Sequence, residues 1–118
     1  MVTQEKAGIE YQLSPEQREL VERFIAAFNK IHQELCQQLN TQKDIDFYGT
    51  VEKYARRYPS WPYRKQLHIF RELRNLVVHE QTKPNRRLAV PTREIVETIE
   101  AIQAQVVERV IPRFARSV

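Results

Sequence analysis

Apolar side chains return every three or four residues through long stretches of this chain. Leu20, Phe24, Phe28, Ile31, Leu35 and Leu39 form the first such series, and Val21 and Ile25 widen it. That period is the period of an α-helix, and a stripe this long has to be buried against other helices. The series has a defined start. Ser14 can cap, Pro15 stands at the first helical position, and Gln17 completes a capping box. The pattern predicts one long amphipathic helix from Ser14 to about Leu39.

Breakers divide the rest. Residues 1–13 read as a flexible or loosely docked arm. Asn40 to Asp44 is a polar connection, and Asp46–Tyr58 reads as a shorter helix with Phe47, Val51, Tyr54 and Ala55 inside. Pro59-Ser60-Trp61-Pro62 ends it and opens a third helix from about Pro62 to Val78, with Ser60 as its cap. His79 to Pro91 is poor in helix formers, and Leu88-Ala89-Val90 is expected to be briefly extended. Thr92 then caps a fourth helix carrying Ile95, Val96, Ile99, Ile102, Val106 and Val110, which Pro112 kinks or ends. The expected architecture is all-α: one domain over 14–118, an up-and-down four-helix bundle with a long third connection.

Composition removes several functional classes. Glycine occurs only at Gly8 and Gly49, which excludes glycine-rich phosphate loops and dinucleotide fingerprints. Cys36 is the sole cysteine, so neither a disulfide framework nor a cysteine-based zinc site is expected. No HExxH pattern or grouped carboxylates suggest a metal, and no cofactor is expected. No apolar run reaches the roughly 18 residues of a membrane span, and the first residues lack an apolar signal core. The expected setting is the cytoplasm. Charge is unevenly spread: Lys53 to Arg93 holds eleven Lys/Arg against Glu72 and Glu80, a net +9, while the remainder sums to −5. A basic centre with acidic flanks suits a polyanionic partner or a self-complementary oligomer.

The third helix carries the most informative pattern. With His68 at 0° and 100° per residue, Leu67, Ile69, Phe70, Leu73, Leu76, Val77 and Val78 fill an arc of roughly 80° to 280°. This arc is expected to face the core. Arg64, His68, Arg71, Glu72, Asn75 and His79 share a narrow polar face opposite. Arg74 falls inside the apolar arc, where an arginine has to snorkel, pair with an acid or enter a cleft.

Arg74-Asn75-Leu76-Val77-Val78-His79 resembles the Rx4–6H motif of HEPN domains, small helical domains of prokaryotic toxins, CRISPR-associated ribonucleases and other RNA-targeting proteins. The likeness covers the motif, the helix that carries it, the long helices before it and the helix after it, and the motif's place at the end of the third of four helices strengthens it. It implies a homodimer that brings two Arg–His pairs into one cleft and cuts RNA without metal, using the 2′-hydroxyl as nucleophile. His79 would then be the acid or base, Arg74 would hold the scissile phosphate, and Asn75 would orient either. Arg71 and His68 would widen the basic cleft. HEPN toxins that pair with a nucleotidyltransferase antitoxin often carry a tyrosine two residues after the histidine. Gln81 stands there in this chain, which puts that class in doubt, and Glu80 adds a negative charge beside the histidine. Residues 71–80 and 88–102 also resemble a helical module that precedes paired CBS domains in bacterial proteins. That likeness implies that Ile111-Pro112 is a linker region, leading into a sensory domain or left over in a stand-alone version of the module.

Each feature has a structural reading as well. Arg74 and His79 could organise a dimer seam or pair with acids from another helix. His68 reads first as a partly exposed helix residue, His32 as solvent-facing, and Cys36 as inert packing. From Lys53 to Lys65, aromatic and basic residues alternate, with Arg56, Arg57, Arg64 and Lys65 as candidate RNA contacts. Tyr54 and Trp61 within that run are expected to pack the helix junction. Arg86-Arg87 is too short a run to carry meaning alone. The second functional class is therefore a non-catalytic dimerisation or regulatory module, and a toxin held by an antitoxin is the third.

Overall fold

A computed structural model describes residues 13–41, 46–80 and 90–108, excluding the side chains of His79 and Glu80. Four helices account for most of them: α1 (Pro15–Leu39), α2 (Phe47–Arg57), α3 (Arg64–Glu80) and α4 (Arg93–Glu108). Among the described residues there is no strand. The expectations for the arm at 1–12, for Leu88-Ala89, for Arg86-Arg87 and for Val110 and Pro112 lie outside the described residues.

The helix ends follow local chemistry. The Ser14 hydroxyl accepts the Gln17 N–H at 3.0 Å, and Gln17 Oε1 accepts the Ser14 N–H at 2.9 Å, a complete capping box. α1 closes on Asn40, which adopts φ 58°, while the Thr41 N–H returns to the Cys36 carbonyl at 3.0 Å. Asparagine tolerates that left-handed geometry better than most residues. Asp46 caps α2 by accepting the Gly49 N–H at 2.8 Å, and Thr92 caps α4 by accepting the Ile95 N–H at 3.1 Å. α3 starts later than expected, at Arg64 instead of Pro62, and Ser60 is not its cap. Residues 58–63 are held in turns: the Trp61 N–H bonds the Tyr58 carbonyl at 3.0 Å, and the Trp61 ring is buried against Tyr54 at 4.6 Å.

α1 is the element on which the other three pack, α4 most extensively, and α2 also lies against α3. Phe24, Ile31 and Leu35 of α1 are fully buried with Val51, Leu67, Val96 and Ile99 of the other helices. Phe28 stacks on Phe47 at 4.1 Å, joining α1 to α2, and Phe24 meets Phe70 edge-on at 6.1 Å, joining α1 to α3. Polar ties pin α4 to α1: Arg23 grips Glu100 through two hydrogen bonds of 2.9 and 2.7 Å, and the Gln38 amide donates to the Val106 carbonyl at 2.9 Å.

The inward face of α3 differs from the expected arc. Leu67, Phe70 and Val77 are buried and Leu73 is partly so, but Ile69 is 62 % and Leu76 52 % exposed. Val78 stands at the edge of exposure. The reason lies in the neighbours: α3 packs on α1 and α2, and α4 lies chiefly against α1, so among the described residues no helix covers one flank of the apolar arc. His32 also departs from expectation. It is partly buried, edge-on to Phe47 at 5.4 Å, with Nε2 3.3 Å from the Thr50 hydroxyl. Cys36 is buried, its sulfur 3.7 Å from the same hydroxyl.

Candidate nucleic-acid interface

The arginine inside the apolar arc of α3 enters a cleft. Arg74 starts on the core side, and its guanidinium carbon lies 5.6 Å from the Phe28 ring centre. Among the described residues its buried Nε has no hydrogen-bond partner, and its Nη1 lies 3.5 Å from the side-chain oxygen Oδ1 of Asn75, the outer limit for such a bond. Arg71, one turn earlier, lies with its guanidinium carbon 5.5 Å from the Tyr48 ring centre, and its Nε is likewise buried without a partner. Both arginines line a cleft of about 230 Å³ with Asn75, Tyr48, Asp46 and Phe28. Arg74 and Asn75 also line a wider, open hollow of about 480 Å³ with Glu72, Leu76 and Val78.

Among the described residues no carboxylate pairs with Arg71 or Arg74. Within the same set, Arg18, Arg56 and Arg57 also lack a carboxylate but are exposed to water, whereas three other arginines are paired. Arg23 pairs with Glu100, Arg93 with Glu16 at 3.3 Å, and Arg64 with Glu52 through bonds of 2.8 and 3.2 Å. Asp46, which lines the same cleft, bonds the Gly49 N–H and neither guanidinium, so among the described residues these two cations keep their charge for an incoming anion.

Beside the cleft lies a connected set of side chains between α2 and α3. Glu52 accepts from Arg64 and stands 2.7 Å from His68 Nε2. The hydrogen bond from Arg64 and then that from His68 hold the Glu52 carboxyl well below its ordinary 4.5, at about 2. The same bond pushes Arg64 above its ordinary value. The His68 ring stacks on Tyr48 at 4.6 Å with 27° between planes. His68 is thus engaged on both sides, by Glu52 and by Tyr48.

The expected RNA contacts therefore separate into groups. Arg71, Arg74 and Asn75 converge on one cleft. Arg64 and His68 are committed to Glu52, so neither stands as a free cation. Arg56, Arg57 and Lys65 are exposed, Arg57 lying 5.7 Å over the Tyr58 ring. Ten residues separate Arg64 from Arg74, which places them about 15 Å apart along α3. Three aromatic members of the basic run are core groups: Tyr54, Tyr58 and Trp61 are buried and offer no open face for a base, while Tyr63 is partly buried against the same core. His79 lies in the last turn of α3, one turn after Asn75, and its side chain is outside the described residues.

Two site residues were not singled out by sequence reasoning. Glu52 precedes the basic run by one residue and so looked like part of the acidic flank. Tyr48 sits next to the core residue Phe47 and one turn before Glu52; its only signal was an aromatic placed off the apolar stripe of α2. Among the described residues, no three His, Cys, Asp or Glu side chains gather in a metal-binding group, and no helix is long and apolar enough to cross a membrane. Comparison with family models, with curated proteins and with solved structures returns no match to this chain.

Proposed function

We propose that the chain is an HEPN-like RNA-binding domain that acts as a homodimer and cleaves RNA without a metal. The observation that carries this reading is the pair Arg71 and Arg74, drawn into one cleft with Asn75 and, among the described residues, bonded to no carboxylate. A phosphodiester supplies the missing charge. In this scheme Arg74 neutralises the scissile phosphate and Asn75 orients it. One subunit's His79 takes the proton of the 2′-hydroxyl, whose oxygen attacks phosphorus. The 5′-oxygen leaves with a proton from the other subunit's His79, giving a 2′,3′-cyclic phosphate and a 5′-hydroxyl end.

A second reading is favoured by a different observation. Ile69 and Leu76, seven residues apart on one flank of α3, are both more than half exposed. Such a flank suits a dimer seam in a non-catalytic regulatory module, whether beside a fused sensory domain or under an antitoxin.

Incubation of the purified chain with mixed RNA in EDTA separates the two. The nuclease reading expects cyclic-phosphate ends from the parent protein and none from His79→Ala or Arg74→Ala, with the dimer intact by sedimentation. Cleavage that persists in both variants removes the mechanism. A dimer that never cuts RNA, and dissociates on Leu76→Glu, supports the regulatory module.

A further inference from the structure

We propose that Tyr48 is the base-stacking platform of the cleft, and that the RNA it holds is unpaired beside the bound phosphate. This rests on reading Arg71 and Arg74 as a phosphate site. The placement of Tyr48 begins in the sequence. Phe47 turns inward to stack on Phe28, and the next residue of a helix points about 100° away. Tyr48 accordingly faces out and is 49 % exposed.

An exposed tyrosine ordinarily swings between rotamers, but this one is held. The His68 imidazole lies against its ring, Glu52 holds His68 at 2.7 Å, and Arg64 holds Glu52. The Arg71 guanidinium reaches over the same ring. Fixing a half-open aromatic surface in advance removes much of the entropy that stacking a nucleobase would otherwise lose. Asp46 also lines this cleft, with one carboxylate oxygen on the Gly49 N–H. Its charge disfavours a phosphate at the α2 end and leaves the Arg71–Arg74 side for it. A phosphate there, with its base turned onto Tyr48, is a single-strand geometry, because a duplex keeps its bases stacked inside.

The test is fluorescence anisotropy on the full chain with a short fluorescein-labelled 2′-O-methyl RNA, single-stranded or annealed to its complement. The 2′-O-methyl group removes the nucleophile, so binding is read without cleavage. Tyr48→Ala is expected to weaken single-strand binding about tenfold, while Tyr48→Phe keeps the affinity within about twofold, since stacking needs the ring and not the hydroxyl. His68→Ala, which frees the ring, is expected to fall between them. Duplex binding should stay unchanged in all three. Single-strand binding by Tyr48→Ala equal to the parent's, with Arg71→Ala and Arg74→Ala still weakened, overturns the platform and leaves the phosphate site standing. Equal losses on single strand and duplex also overturn it. A parent protein that binds neither probe removes the phosphate site together with the platform.

Discussion

Replacing Arg74 by methionine separates a functional arginine from a structural one. Its Nε is buried without a partner among the described residues, and a buried donor left unsatisfied costs about 1–3 kcal/mol. Against this stands the contact of the guanidinium with the Phe28 ring at 5.6 Å. A cation over an aromatic ring contributes about 0.5–2 kcal/mol, depending on desolvation. Methionine keeps the unbranched stem, and a sulfur beside an aromatic ring restores about 0.3–1.5 kcal/mol. The 3.5 Å contact to Asn75 is too long to alter the balance. Arg74→Met should therefore stabilise the fold by about 1 kcal/mol, read as a rise of about 4 °C in the melting midpoint. The urea midpoint should rise by about 0.5 M at constant slope. RNA binding should fall at the same time, the trade expected where a site is kept strained for function. A methionine variant less stable than the parent by about 1 kcal/mol refutes the reasoning: the guanidinium would then hold the fold together, and its place in the cleft would follow from packing.

Two further outcomes follow from the packing and charge of the same region. Glu52 is held at about 2 in the folded chain against an ordinary 4.5, so its ion pairs stabilise the fold above about pH 4.5 and are lost as pH falls toward 2. Urea midpoints measured from pH 6 to pH 2 should decline less steeply for Glu52→Gln than for the parent, and identical slopes would show the pairing to be energetically silent. Leu67 is fully buried where α3 meets the core, and Leu67→Ala should cost about 2–5 kcal/mol by urea denaturation. A loss under 1 kcal/mol would mean that α3 docks far more loosely than its burial implies.

The residues that were legible share a property: their environment is set by close neighbours in the chain. Ser14 and Gln17 cap α1 together because a capping box needs only four consecutive residues. Val96, Ile99, Ile102 and Val106 face inward because one helix surface presents them together. Arg74 was marked as anomalous by the same periodicity. What was not legible needed a second element. Ile69 and Leu76 carry the pattern of core residues and are exposed because α4 packs chiefly on α1. His32 looked free because nothing within α1 shows that Thr50 and Phe47 come to meet it.

The charge map shows the same division. Counting residues makes the centre of the chain strongly basic. The fold lends Glu52 to Arg64 and His68, sixteen residues away in the second case, and so withdraws part of that charge from any partner. Among the described residues it pairs neither Arg71 nor Arg74 with a carboxylate, gathers both in one cleft and sets Tyr48 beside them. The period of the apolar residues determined the four helices among the described residues and roughly where each begins and ends, because hydrogen bonding within a helix and at its caps is local. Which cations keep their charge for a ligand was decided only by the tertiary structure, because an ion pair or a stacked ring depends on distance in space, and separation along the chain does not encode it.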